Sequence, residues 1–183
     1  MRARRASLVL VALMLGATSA GCATGSKQAT PMCSLDQSFT ALVLEAQAVP
    51  EADRVPCIRL LPAGWSVYSA DTESGRARFS LSSDRAGNRA VQMTFTRRCD
   101  TKGATQIPSD ETATRRYERI EEVTPGFVGT RYYTFSGGCA AYRFEFDEEG
   151  RALANEASLA LSFIRRDTIN AKLRKDSKGR LSL

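Results

Sequence analysis

The sequence predicts an α+β domain: an antiparallel β-sheet meander packed on one face by an N-terminal and a C-terminal helix. Three observations predict it. Near the start, Leu35, Phe39, Leu42, Val43 and Ala46 form one apolar stripe at helical spacing. Through the middle, apolar residues fall at every second position, as at Val91, Met93 and Phe95 and again at Tyr142, Phe144 and Phe146. Near the end, Leu153, Ala157, Leu161 and Ile164 return to helical spacing. A sheet that is wet on one face must bury the other, and two amphipathic helices supply the cover.

The elements follow in order. Ser34-Leu35-Asp36-Gln37 has the form of a capping box, so the first helix is expected to open at Ser34. Pro50 cannot continue it. Pro56 to Gly64 reads as a punctuated connection. From Trp65 the period changes to two: Trp65 and Val67 share one side of a strand, Phe79 and Leu81 one side of the next. Asp84 to Asn88 is a turn, and the strand of Val91, Met93 and Phe95 follows. Asp100 to Ser109 reads as loop. Arg115 to Val123 suits either a helix or a strand; the Thr124-Pro125-Gly126 turn and the β-rich run Phe127 to Phe135 behind it favour the strand. Gly137-Gly138 turns the chain into the Tyr142, Phe144, Phe146 strand. The closing helix is expected to run through Ile164, with Asp167 capping a short second piece that carries Ile169 and Leu173.

The first residues are of another kind. Arg2, Arg4 and Arg5 precede the apolar run Leu8 to Leu15, and small or polar residues fill Gly16 to Gly21. This is the pattern of an export signal, too short in its apolar core to be a comfortable permanent span. Ala20-Gly21-Cys22 then resembles the lipobox of bacterial lipoproteins, with Ser19 where leucine is commonest. The resemblance implies a diacylglycerol thioether on Cys22 and cleavage just before it. Ordinary cleavage near Ala20 and free secretion is the alternative. The expected organisation is a signal peptide over 1–21, a flexible tether over 22–32, one α+β domain over 33–175 and a basic frayed tail over 176–183.

Five cysteines divide into Cys22 and four others: Cys33, Cys57, Cys99 and Cys139. In an oxidising compartment an even set suggests disulfides. Three connectivities are open to four cysteines. Cys33–Cys57 with Cys99–Cys139 is favoured, because each bridge then joins neighbouring elements. A zinc site is the rival, but no Cys-x-x-Cys knuckle occurs and the chain has no histidine. No metal or other cofactor is expected.

The 183 residues carry 26 basic and 20 acidic side chains. The leader takes three arginines with it, so the exported part is close to neutral. Positive charge gathers at the end: Arg165, Arg166, Lys172, Arg174, Lys175, Lys178 and Arg180 stand against Asp167 and Asp176. That end can touch anionic lipid or cell-wall polymer. Arginine outnumbers lysine 21 to 5, and the chain looks like the small lipoproteins of high-GC bacteria. A Leu-Pro-x-Gly-Trp opening at Leu61 to Trp65, a meander and a closing helix are similar to the PsbP/Mog1-like fold, which implies a binding or assembly module.

The residue inventory excludes several chemistries. Without histidine no Ser-His-Asp or Cys-His pair can form, and no His-Glu-x-x-His motif exists. Both phosphate-loop patterns are missing. Carboxylates could still serve a glycosidase, with Glu145, Asp147, Glu148 and Glu149 as one group and Glu118, Glu121 and Glu122 as a second. Arg115, Arg116, Arg119, Arg131 and Arg143 lie close by in sequence, so cross-strand ion pairs are the simpler expectation. Asp84 and Asp100 read as turn residues rather than calcium ligands. Tyr117, Tyr132, Tyr133 and Tyr142 could form a recognition surface, although strand alternation turns about half of them inward.

The resulting expectation is a non-catalytic envelope lipoprotein, anchored at the extracytoplasmic face of the cell membrane. An envelope protein or cell-wall component is its expected partner, and nucleic acid is not. A carboxylate-dependent hydrolase of envelope glycan and a carrier of an apolar ligand are the alternatives.

Overall fold

The computed structural model describes residues 30–147 and 150–183. The signal segment, Cys22 and most of the tether therefore lie outside the described residues, as do Glu148 and Glu149. The elements in chain order are α1 Phe39–Ala48, β1 Arg54–Ile58, β2 Trp65–Glu73, β3 Arg76–Ser83, β4 Gly87–Thr96, β5 Thr105–Ile107, β6 Arg115–Glu122, β7 Phe127–Phe135, β8 Gly138–Phe146, α2 Gly150–Ala160, β9 Leu161–Arg165 and α3 Arg166–Asp176.

Seven strands form one antiparallel sheet in the order β2-β3-β4-β8-β7-β6-β5. Two meanders, β2 to β4 and β5 to β8, meet where β4 pairs with β8. The link from β4 to β5 must therefore pass four strand spacings, about 19 Å. Residues 97–104 can reach about 27 Å when extended, enough for the crossing. A disulfide from Cys99 on this link to Cys139 at the start of β8 fastens it to the sheet, with Cα atoms 5.7 Å apart. The link also covers Tyr132: Lys102 O accepts from Arg119 Nη1 at 3.2 Å, and the Arg119 guanidinium lies 5.5 Å over the Tyr132 ring.

One face of the sheet is the core. Phe79, Leu81, Val91, Met93, Phe95, Tyr142, Phe144 and Phe146 are all buried there, beneath α1 and α2. Their neighbours Arg78, Gln92, Arg143 and Glu145 point the other way, as a period of two requires. Trp65 closes one end of the core. Its ring meets Phe146 edge-on at 6.3 Å, and its Nε1–H donates to Glu156 Oε1 of α2 at 2.8 Å.

A second, smaller layer departs from the expected helix–sheet–helix order. β1 and β9 pair antiparallel as a separate ribbon, from Arg54↔Arg165 to Ile58↔Leu161. One side of the ribbon, with Ile58, Leu161 and Phe163, joins the main core. The other, with Val55, Cys57 and Ile164, packs against Leu42 and Ala46 of α1 and Ile169 of α3. Two sequence expectations change here. The Pro56–Gly64 connection begins as strand, with Pro56 opposite Phe163. A two-stranded ribbon tolerates the missing proline N–H because its outer edge needs few donors. The closing helix stops at Ala160, since pairing with β1 draws Leu161 to Arg165 into strand.

The helix starts move as well. Cys33 is bonded to Cys57, with Cα atoms 5.0 Å apart, and its N–H donates to Ile58 O at 2.8 Å. That holds the chain alongside β1, so it must turn through residues 35–37 before α1 can begin at Phe39. Ser38, not Ser34, stands at the N-cap, and its side chain makes no capping bond. At α3 the N-cap is Arg165, and Asp167 lies in the first turn. Within the expected loop at 100–109, Thr105–Ile107 forms the short edge strand β5.

Residues 31 and 32 and the last residues of the chain are held to the domain. Met32 bridges to Ile58, and Pro31 O accepts the Ile58 N–H at 2.8 Å. Past α3 the chain turns back: Leu181 N–H donates to Ser177 Oγ at 3.0 Å, and Leu183 N–H to Asn170 Oδ1 at 2.9 Å. Leu183 packs against the α1–ribbon–α3 cluster.

Candidate functional site

The ribbon, the start of α3, residues 111–113 and Leu183 enclose a cleft of about 660 Å³. Its wall carries Arg54, Arg165 and Arg166 together with Asp53, Glu111 and Asp167. Ala113 also lines a second hollow of about 470 Å³, with Arg115, Thr134 and Phe135. Thr134 and Phe135 in turn line a third of about 390 Å³, with Arg97, Arg98 and the Cys99–Cys139 bridge. Each hollow shares lining residues with the next, so the three adjoin one another around the β7–β8 turn as a string of depressions, the groove. Six arginines face it against three carboxylates.

The arginines are supplied by β1, β6, β9, α3 and the β4–β5 link. Arg54 is buried at the end of β1, where Nη1 donates to Thr112 O at 2.5 Å and Nε to Asp53 Oδ1 at 3.0 Å. Its guanidinium lies 5.5 Å over the Phe135 ring. Arg166 donates to Ala46 O at 2.6 Å, tying α3 to the end of α1. Burial pulls its guanidinium below the usual value, partly opposed by Glu51. Arg165 pairs with Asp167 at 3.0 Å, and Arg97 with Glu51 at 3.6 Å. Arg98 and Arg115 are exposed and make no ion pair among the described residues. Those two can donate to an incoming anion without first giving up a carboxylate.

The groove is built to hold charge, and its acids are already committed. Glu111 Oε1 accepts from Ser162 Oγ at 2.9 Å and lies 3.5 Å from Arg59 Nη2. Asp53 is occupied by Arg54. Those carboxylates singled out in the sequence that fall among the described residues lie elsewhere. Glu118 sits between Arg116 and Arg131, at 2.6 Å from each. Burial pushes its carboxyl up, but the two guanidiniums outweigh burial and hold it below the usual range. Glu121 pairs with Arg143 at 3.2 Å, and Glu145 with the same arginine at 3.6 Å. Glu145, Asp147 and Glu122 are exposed. Glu118, Glu121 and Glu145 thus make ion pairs on the sheet.

Asp84 and Asp100 occupy turns, where Asp100 Oδ1 accepts the Lys102 N–H at 3.0 Å. The tyrosines do not make a surface: Tyr132, Tyr133 and Tyr142 are buried, and Tyr117 is half-buried. Tyr133 O–H donates to Asp110 Oδ1 at 2.9 Å, and burial pushes the phenol well up. The cysteines form the pairs Cys33–Cys57 and Cys99–Cys139. Those bridges fit an extracytoplasmic or secreted protein. No helix among the described residues is long and apolar enough to cross a membrane.

Sequence reading missed the groove. Its arginines come from four separate stretches, at 54, 97–98, 115 and 165–166, and only Arg165 and Arg166 belong to the basic run near the end. The fold and its site define a disulfide-stapled α+β domain with an arginine-lined surface groove. No protein-family model, curated protein or solved structure matches the chain.

Proposed function

We propose that this protein is a non-catalytic, lipid-anchored binding module at the extracytoplasmic face of the cell membrane. Its arginine-lined groove takes an anionic stretch of an envelope protein or cell-wall polymer. The observation that carries this reading is the row of adjoining hollows lined by six arginines, two of which make no ion pair among the described residues. Guanidinium pairs suit carboxylate and phosphate groups, which they grip with two parallel hydrogen bonds. The groove's own acids are paired, and the chain contains no imidazole to act as a base near neutral pH. The space between sheet and helices is filled by buried aromatic rings, which favours a surface ligand over an internal one. Cys22 supplies the anchor in this reading, and the two bridges keep the domain folded outside the cytoplasm.

The test is titration with polyphosphate and polyglutamate chains as anionic probes. Wild-type protein binds one of them with a salt-dependent affinity, and Arg98→Glu with Arg115→Glu weakens it by about tenfold or more. Equal binding by wild type and double variant removes the groove from the reading. Pull-down of the acylated protein should enrich one envelope component; recovery of bulk membrane alone counts against a specific partner.

A further inference from the structure

Two of the adjoining hollows, the one beside Arg115 and the one beside the Cys99–Cys139 bridge, share Thr134 and Phe135. Phe135 ends β7 opposite Gly138 and is half-buried, unlike the rings deeper in the core. Three contacts hold it in place: the Phe163 ring edge-on at 5.3 Å, the Phe95 ring at 6.2 Å and the Arg54 guanidinium at 5.5 Å. A ring held this way and still half-open loses little freedom when a ligand covers it. It gives a charged groove one fixed patch of apolar surface.

Cations stand on both sides of that patch. Arg115 is in register with Thr134 across β6 and β7, and Thr134 with Cys139 across β7 and β8. Arg115 and Cys139 are therefore two strand spacings apart, about 10 Å. Cys99 is bonded to Cys139, and Arg98 precedes Cys99. The three acids of the groove line the cleft near α3, and the residues that line these two hollows include no carboxylate. A bare polyanion would meet the arginines and leave the ring in water. In an extended peptide, side chains two residues apart on one side are about 7 Å apart. An aromatic residue with acids at that spacing before and after it would meet the ring and the flanking guanidiniums together.

We propose that the groove takes an extended acidic peptide segment of a partner protein, with an aromatic side chain packed on Phe135 between carboxylates held by Arg98 and Arg115. This rests on the groove reading given under Proposed function. It narrows the partner from any anionic polymer to a protein segment that carries acids on both sides of a ring.

The experiment titrates the full chain, purified in detergent with both bridges closed. The probes are random Glu/Tyr and Glu/Ala copolymers of equal length and glutamate content, and polyphosphate. The Glu/Tyr copolymer is expected to bind at least about threefold tighter than Glu/Ala, the scale of one aromatic contact. Phe135→Leu should abolish that difference while Glu/Ala still binds. If Phe135→Leu does not fold, the wild-type protein decides: its Phe135 ring resonances should shift on adding Glu/Tyr and stay in place on adding Glu/Ala. Equal binding of the two copolymers, a Glu/Tyr advantage that survives Phe135→Leu, or ring resonances unmoved by Glu/Tyr overturns the inference and leaves the groove reading standing. So does binding of polyphosphate with neither copolymer bound, the mark of a phosphate polymer. Failure of all three probes to bind overturns both.

Discussion

Glu45 of α1 and Tyr142 of β8 are the two residues that each leave a buried side-chain oxygen without a hydrogen-bond partner among the described residues. Burial pushes the Glu45 carboxyl well above the usual carboxylate range. Burial also raises the Tyr142 phenol, and the charges of Tyr133 and Glu45 add to that. A folded state that holds the Glu45 proton more tightly than the unfolded chain loses stability as pH rises.

The sign defines an experiment. For Glu45 the stability is full below the unfolded value, about 4.3, and falls as pH rises from there through the folded value. Glu118 and Glu156 work in the opposite sense, because their carboxyls are held low in the fold. The informative quantity is therefore the difference between wild type and Glu45→Leu in urea unfolding. Glu45→Leu should be the more stable protein at pH 7, by about 1–3 kcal/mol, with the gap shrinking toward pH 4. A gap that stays constant with pH would show that Glu45 does not carry a raised value.

Cys99–Cys139 holds the β4–β5 crossing against the sheet. Cys99→Ser with Cys139→Ser should cost about 2–4 kcal/mol, read from the urea midpoint at constant slope. The crossing segment should then be cut by protease near Lys102 at concentrations that spare the wild type. Unchanged stability and protection would mean that the Arg119 and Tyr132 contacts hold the segment unaided.

Gly137 turns the chain between β7 and β8 with φ +70°, and a Cβ there would collide with the Glu51 carbonyl oxygen. Both the positive φ and the close backbone approach require glycine. Gly137→Ala should destabilise the fold by more than about 1 kcal/mol. It should also weaken anionic probe binding, since the same turn floors the groove. Wild-type stability in that variant would contradict the packing described here.

Phe144 lies in the centre of β8, 2% exposed, with the Arg131 guanidinium 5.4 Å over its ring. Phe144→Ala should cost about 3–5 kcal/mol. A loss under 1 kcal/mol, a threshold about a third of that expectation, would place the ring outside the main core.

The large sheet was legible in the sequence for a physical reason. One face is wet, so Val91, Met93 and Phe95 alternate with polar residues, as do Tyr142, Phe144 and Phe146. The β1/β9 ribbon was illegible for the converse reason. It is covered on both faces, so Arg54–Ile58 is buried throughout and shows no alternation. Leu161 and Ile164 also fit the helical spacing that begins at Leu153, which hid the change to strand at Leu161. Ser34 to Gln37 matched a helix start locally, but the Cys33–Cys57 bond and the pairing beside β1 delayed it to Phe39. The groove has no local signal, because Arg54, Arg98, Arg115 and Arg166 reach adjoining hollows only after the sheet and ribbon are in place.

The two bridges and the proposed anchor meet in one measurement: the mass of the protein extracted from membranes, alkylated with and without prior reduction. The expected result is a chain beginning at Cys22 that carries diacylglycerol on that residue. It takes up no alkyl group before reduction and four after it. A chain that retains residues 1–21, or one whose five thiols all react without reductant, would contradict it.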